Sequence, residues 1–398
     1  MKINKQKAKK DFIRAGIFIG IVVFMFTLPL LFNYIGPWIQ MPHENGPYLS
    51  FGSDASTNIV ISYETPQNVS TTLYWGTNMN NLNIRTTTNI ALHAHNLTNL
   101  EPNTLYYYKI NSSQITTRYM NKFYSFKTGF NQTNPGAFKF AVYGDNQVGT
   151  FGTSEHQRIV DRVITHNPDF VINTGDTVSS SEMHNWDRFF YEVRNLISYK
   201  PYMISIGNHE QIEGTNPDYG KHFKELYNFP HEEVYYSFNY SNACFIALNI
   251  SVNEHRITLA ERAWLINTLT RANSSPYIDW IFVYFHVPPY SSGGHGCNQH
   301  IIEDYVQIFK EYHVDIVFTG HDHQYERSYV DEIYYFVNGG GGGALDFFMP
   351  WYGSRTWSQI KLLCYHYLII DINGDYLHLQ AIRSDGLIFD QIYLESKR

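Results

Sequence analysis

Five apolar runs in the middle of this chain end in the same way. Phe138–Tyr143 leads into Gly144-Asp145-Asn146-Gln147, Phe170–Asn173 into Gly175-Asp176, and Tyr202–Ile206 into Gly207-Asn208-His209-Glu210. Trp280–Phe285 leads into His286, and Ile316–Thr319 into Gly320-His321-Asp322-His323. Short continuous apolar runs bounded by glycine read as buried strands. The amphipathic stretches between them predict helices over Ser154–His166, Glu182–Ser198, Thr258–Ala272 and His300–Tyr312. Thr258, with Glu261 three residues on, forms a capping box for the third helix. Strands alternating with helices imply a layered α/β domain, and sites in such domains assemble at the carboxyl ends of the strands. Each run therefore delivers a metal-competent side chain to one edge.

Taken singly, each element has an ordinary structural reading. Gly-Asp after a strand is usually a turn, a lone His is more often structural than a ligand, and Gly-Asn-His-Glu can cap a helix. Five of them at one strand edge are hard to explain as separate turns, and together they predict a metal centre. The donors are His, carboxylate and one amide. That set suits Zn, Fe or Mn and disfavours a closed structural zinc site. A carboxylate placed between two ions can bridge them. The three cysteines are too few for a disulfide scaffold or a Cys₄ site. Cys244 and Cys364 lie in apolar strand sequence and read as core, and Cys297 as a packed or paired thiol.

The flanks differ from this block. No Asp, Glu, Lys or Arg occurs from Ala15 to His43, and the 21-residue apolar run Ala15–Ile35 would span roughly 32 Å as a helix. Residues 1–14 hold six Lys or Arg and one Asp, against 23 basic and 35 acidic residues in the rest. With positive charge inside, the expectation is a cytoplasmic basic segment (1–14), a transmembrane anchor (15–35) and a body outside the cell. Seven Asn-x-Ser/Thr sequons give this exported topology weak support in an Asn-rich chain. Residues 46–130 read as short strands: Asn58–Glu64, Thr71–Trp75, Leu105–Ile110 and Lys122–Lys127, separated by Asn, Gly and Pro turns. Their spacing predicts an N-terminal all-β sandwich. The segment Leu100–Tyr108 resembles the E–F corner of fibronectin type III domains. After the glycine run Gly339–Gly343, which reads as a tight loop whose backbone passes close to some other part of the molecule, strands return over His366–Asn373, Tyr376–Arg383 and Leu387–Leu394.

The order Asp145, Gly175-Asp176, Gly207-Asn208-His209-Glu210, His286 and Gly320-His321-x-His323 resembles the calcineurin-like metallophosphoesterases, and most nearly their purple acid phosphatase branch. The resemblance covers about residues 46–395 and includes His286-Val287-Pro288-Pro289-Tyr290, the run from His321 to Arg327, the glycine run and Asp385-Gly386…Phe389-Asp390. It implies a layered β-sandwich flanked by helices over 137–398, behind a fibronectin type III-like domain over 46–130. It also implies that Asp145 and His323 hold a first metal, that Asp176 bridges, and that Asn208, His286 and His321 hold a second. His209 would face the substrate as a proton donor or charge stabiliser, and so would His295, whose alternative reading is a solvated loop histidine. Two departures stand out. The purple enzymes have a metal-binding Tyr three residues after the bridging Asp, where this chain has Ser179. The usual Asp-x-Gly is Asp145-Asn146-Gln147, and Gln147 either offers a metal its amide oxygen or hydrogen-bonds to a ligand.

With 43% hydrophobic and 16% charged residues, most of the chain is not disordered. No basic surplus suggests a nucleic-acid partner, since the net charge is −7. The expectation is a membrane-anchored extracytoplasmic phosphatase with two metal ions (Fe, Zn or Mn). It would hydrolyse phosphate monoesters through a two-metal-activated hydroxide and sit as a single-pass protein of the cell membrane. A phosphodiesterase or nucleotide hydrolase on the same site is the enzymatic alternative. An inert surface adhesion protein is the alternative from another class.

Overall fold

The computed structural model describes residues 44–149, 152–213, 216–217, 220–230, 234–251, 256–346 and 355–398. Strands β1 (Tyr48–Phe51), β2 (Ile59–Asn78), β3 (Asn81–Leu97), β4 (Leu105–Asn111) and β5 (Tyr124–Lys127) open the described chain. Next come β6 (Phe138–Tyr143), β7 (Phe170–Asn173) and β8 (Tyr202–Ile204), then the two-residue strands β9 (Ile212–Glu213) and β10 (Asn216–Pro217). Strands β11 (Tyr236–Tyr240), β12 (Ala243–Ala247), β13 (Trp280–Tyr284), β14 (Ile316–Thr319), β15 (Tyr325–Val330) and β16 (Ile333–Asn338) follow. The chain ends with β17 (Ser358–Leu362), β18 (His366–Asn373), β19 (Tyr376–Arg383) and β20 (Ile388–Glu395).

Two mixed sheets form the body, one of six strands in the order β20-β19-β18-β6-β7-β8 and one of seven in the order β11-β12-β13-β14-β16-β15-β17. Strands β6, β7 and β8 run parallel, as do β12, β13, β14 and β16, so both parallel sets deliver their carboxyl ends to the site. Aromatic residues fill the space between the sheets. Phe140 stacks on Phe170 at 5.3 Å and meets Phe245 edge-on at 5.2 Å. Strand alternation divides the seven-stranded sheet. Phe282 and Tyr284 enter the inter-sheet core, while Ile281 and Val283 pack with Leu265, Leu269 and Phe309 of the covering helices. The longer helices span Glu155–His166, Met183–Ile197, Leu259–Ser274 and, with a π-turn at its centre, Gln299–Glu311. Thr258 accepts the Glu261 N–H at 3.1 Å, as the capping box predicts. The α/β layered architecture read from the sequence is the architecture observed.

The N-terminal region corrects two expectations. Strands β1 to β5 form one five-stranded antiparallel sheet, ordered β1-β2-β4-β5 with β3 on β2, and not the fibronectin type III-like sandwich expected over 46–130. Asn58–Glu64 and Thr71–Trp75 belong to a single 20-residue strand. The Pro66-Gln67-Asn68 segment that reads as a turn is an exposed irregularity in its ladder. Strand β3 is mostly exposed and rich in Thr and Asn, and it owes its conformation to pairing with β2 rather than to an apolar pattern. A local corner exists, since the Tyr106 hydroxyl accepts the Glu101 N–H at 2.9 Å. This sheet belongs to one compact unit, Pro42–Arg398. The Tyr108 hydroxyl donates to the Ser198 carbonyl at 2.7 Å, the Ser198 hydroxyl to the Pro47 carbonyl at 2.8 Å, and Tyr48 lies 4.6 Å from the Phe190 ring.

The expected single-pass membrane anchor is the second correction. Among the described residues, no helix is long and apolar enough to cross a membrane. Segments 1–14 and 15–35 lie outside the described residues. The membrane-anchored, extracytoplasmic reading is therefore set aside, together with the membrane as a partner.

Candidate metal centre

The loops after β6, β7 and β8 in one sheet and β13 and β14 in the other meet at the shared edge. Backbone hydrogen bonds tie them together: Asp145 N–H to Gly175 O at 2.9 Å, Gly320 N–H to His286 O at 2.8 Å, and Gly343 N–H to Asp145 O at 2.7 Å. The last belongs to the glycine run, which lies along the Gly144–Asp145 backbone, the close passage expected of it. Asp145, Gln147, Asp176 and His321 have φ of 58°, 45°, 51° and 72°, in the left-handed region. Such backbone is costly for a residue with a side chain and gathers at functional sites. Gly320 has no room for a side chain, because a Cβ there would stand 2.2 Å from Asp145 Oδ2.

The side chains converge from these loops. His286 Nδ1 donates to the Thr174 carbonyl at 3.0 Å, which fixes the ring and turns Nε2 inward. Around that Nε2 stand Asn208 Oδ1 at 2.9 Å, His321 Nδ1 at 3.2 Å and Asp176 Oδ2 at 3.3 Å. Candidate ligand atoms of Asp176, His286 and His321 all lie within 4.8 Å of one another, so a His/Asp cluster able to coordinate a metal ion is present. Beside it, His323 Nδ1 donates to the Ala344 carbonyl at 2.6 Å and its Nε2 faces Asp145 Oδ1 at 3.5 Å. Lone pairs from so many acceptors, crowded into a buried space, require a proton or a cation between them. The donor set therefore fits a metal.

The electrostatics agree. Burial alone would raise the Asp176 carboxyl, but His286 and then His209 hold it well below the usual carboxylate range. Burial opposes charge on His286, yet Asp176 and Asp145 push it up to about 9. For His323, burial is likewise overcome by Asp145, and the value reaches about 10. His321 moves the other way, well below its ordinary value, through burial and the neighbouring His286 and His295. A bound metal would replace the protons that His286 and His323 otherwise hold.

The remaining candidates surround this cluster. His209 donates Nδ1–H to the Ser179 carbonyl at 2.6 Å and turns Nε2 toward Asp176 Oδ2 at 3.7 Å. His295 lies with its ring centroid 4.1 Å from that of His321. The Gln147 side-chain amide reaches Asp176 Oδ2 at 3.4 Å, on the ligand itself. The Ser179 hydroxyl donates to the Gln147 carbonyl at 2.5 Å. Cys297 is exposed and its thiol contacts the Ser291 carbonyl at 3.6 Å, while Cys244 is buried and its thiol is pushed up to about 12 by burial.

Sequence reasoning left one neighbour without a role. The buried Glu210 accepts N–H groups from Gly207 at 2.7 Å, Asp176 at 2.9 Å and Val178 at 3.1 Å, joining the two loops that carry Asp176 and Asn208. Burial and the nearby Asp176 push its carboxyl up to about 8. Its only signal was its place beside His209, which gave no indication that its oxygens turn back onto backbone.

A model of the calcineurin-like phosphoesterase family matches residues 138–325. A probable purple acid phosphatase 20 of Arabidopsis thaliana is 31% identical over 273 residues, 62% of this chain and 59% of its own length. Acid phosphatase type 7 of Mus musculus is 26% identical over 353 residues, 77% of each chain. The chain thus spans less than two thirds of the former and about three quarters of the latter. Among solved structures, a purple acid phosphatase from yellow lupin (Lupinus luteus) seeds superposes with a TM-score of 0.74 at 22% identity, over 88% of this chain and 74% of that one.

Proposed function

From a chain with the calcineurin-like metallophosphoesterase fold, similar in sequence to purple acid phosphatases, we propose a metal-dependent phosphoric ester hydrolase whose substrates are phosphate monoesters. One observation carries this reading: Asn208 Oδ1, His321 Nδ1 and Asp176 Oδ2 gather within 3.3 Å of His286 Nε2, at the edge where two parallel strand sets end. Asp176, Asn208, His286 and His321 would hold one ion. Asp145 and His323, with Asp176 shared, would hold the other, and Gln147 would steady Asp176. Bound ions of this kind neutralise phosphate charge and acidify water. The donor chemistry, without thiolate, suits Fe, Zn or Mn.

The chain's own part is to orient groups and supply protons. His209 is held through Nδ1 by the Ser179 carbonyl with Nε2 turned toward Asp176, and from there it would protonate a leaving alkoxide or stabilise phosphate charge. His295 lies against His321 and would face the substrate from there. With Ser179 in place of a tyrosine, no phenolate comes from that position, and an iron-loaded protein should be colourless. The test is hydrolysis of alkyl and aryl phosphate monoesters, phosphodiesters and nucleotides by the chain loaded with Mn²⁺, Zn²⁺ or Fe. Metal-dependent monoester turnover supports the proposal. Turnover of diesters alone would move the substrate class, and no turnover by a metal-loaded protein would overturn it.

A further inference from the structure

The segment Ser291–His295, between β13 and the helix beginning at Gln299, has no regular secondary structure, yet Ser291 and Ser292 are fully buried. Two buried carboxylates account for this. Asp322, between His321 and His323, accepts the Ser291 hydroxyl on Oδ2 and the His295 N–H on Oδ1 at 2.9 Å. Glu326, in β15, accepts the Ser292 N–H on Oε2 and the Ser292 hydroxyl on Oε1, both at 2.8 Å. Consecutive serines are thus held by different carboxylates. Gln324 Nε2 also donates to Glu326, at 3.2 Å, and the Ser358 hydroxyl does so at 2.5 Å. Between these anchors the chain lies directly on Asp322, since a Cβ at Gly293 would come 2.6 Å from its Cγ.

Each carboxylate is costly to bury and depends on donors from this loop, while the loop's buried N–H and O–H groups depend on those carboxylates. Lifting the loop would strip Asp322 of its Ser291 and His295 donors and leave Glu326 with those from Gln324 and Ser358. We propose that Asp322 and Glu326 are positioning residues that clamp Ser291–His295 and so hold the His295 ring against His321 at the rim of the metal centre. This inference rests on the reading of His295 as substrate-facing. Neither carboxylate is required to touch metal or substrate.

The test uses the full metal-loaded chain and two independent readouts. In residue-resolved amide exchange, Asp322→Ala should speed exchange at His295 by on the order of tenfold or more, as expected when one buried hydrogen bond is lost, and leave Ser292 slow. Glu326→Ala should do the reverse. Asp322→Asn keeps an acceptor oxygen and should restore protection at His295. In turnover of an alkyl phosphate, Asp322→Ala and His295→Ala should lower kcat to similar extents, with no further loss in the double variant and unchanged metal content. Multiplicative losses, or metal loss in Asp322→Ala alone, would overturn the proposal, because Asp322 would then act through His321 or His323. Fast exchange at His295 in the unsubstituted chain would overturn it as well. If the loaded chain hydrolyses no phosphate ester, the functional reading fails, and the exchange measurement still decides the clamp.

Discussion

Two His-x-His segments lie within the described fold, and they meet different partners. His93-Ala94-His95 sits in β3, where His93 stacks on Tyr63 at 4.7 Å and its ring nitrogens meet the hydroxyls of Thr87 at 2.6 Å, Thr71 at 3.0 Å and Thr65 at 3.3 Å. His95 Nε2 meets the Tyr63 hydroxyl at 3.0 Å. These partners are neutral, and burial pushes His93 and His95 down to about 4. His321-Asp322-His323 lies where carboxylates approach from other loops, and there His323 is pushed up to about 10 by Asp145, while His321 is pushed down by burial and by the crowding of His286 and His295. The spacing is the same in both. What differs is the partner: hydroxyls leave a buried imidazole neutral, whereas carboxylates call for a proton or a metal in the space between. His-x-His alone does not specify a metal site; the carboxylates brought in from β6 and β7 do.

The largest expected effect follows from removing one such carboxylate charge. Asp176→Asn should lower turnover by more than the ~10–100-fold typical of losing a group that only supports a ligand, and metal analysis should show depleted metal. His286→Ala should reduce occupancy mainly on its own side of the centre. Equal, full occupancy in both variants would remove these residues from the ligand set.

His209→Ala should be next, with a loss of about 10²–10⁴-fold as for general acid catalysis and normal metal content. The loss should be greater for alkyl phosphates than for p-nitrophenyl phosphate, whose leaving group departs without a proton. Equal losses on both would assign His209 to binding phosphate.

His286 and His323 at the metal centre and the histidines of β3 also predict opposite responses to pH. At the metal centre, folded metal-free His286 and His323 hold protons up to about 9 and 10. Metal uptake should therefore release protons, and affinity should weaken as pH falls below those values. In β3, the folded values near 4 lie below the ordinary histidine value of about 6.5. Those two residues should leave stability unchanged above about pH 6.5 and lower it progressively toward pH 4. His93→Gln should show a smaller fall in melting temperature over that range than the unsubstituted chain. Parallel curves would mean that the β3 network does not titrate as described.

The smallest effect on turnover is expected from Ser179→Tyr. If the loop after Asp176 follows the path of the purple enzymes, the iron-loaded variant should gain a visible absorption band that the unsubstituted chain lacks. A colourless variant with normal iron would show a different path.

The sequence revealed the body of the fold well because its parallel strands are buried on both faces and read as uninterrupted apolar runs, as in Trp280–Tyr284. The strand ends followed from the same signal, which is why Asp145, Asp176, Asn208, His286, His321 and His323 could be named together. Strand β3 was missed because its exposed, Thr- and Asn-rich sequence has no apolar period and its order comes from β2. Pro66-Gln67-Asn68 misled because an irregularity within a strand and a turn between strands use the same residues. Glu210 and Glu326 carried no signal of their own, since their hydrogen-bond donors come from loops far away or turned back on themselves. Segment 15–35 carries an apolar pattern, but it lies outside the described residues.

Phosphate ester hydrolysis by this chain would depend on metal held by the carboxylate-organised histidine cluster. That dependence is tested most directly by titrating the metal-free chain with Mn²⁺ or Zn²⁺ while following bound metal and p-nitrophenyl phosphate turnover together. Turnover should rise from background in step with occupancy of the tight sites, and Asp176→Asn should deplete the metal and lower turnover with it. Full metal uptake without turnover, or uptake and turnover indifferent to Asp176→Asn, would contradict that dependence.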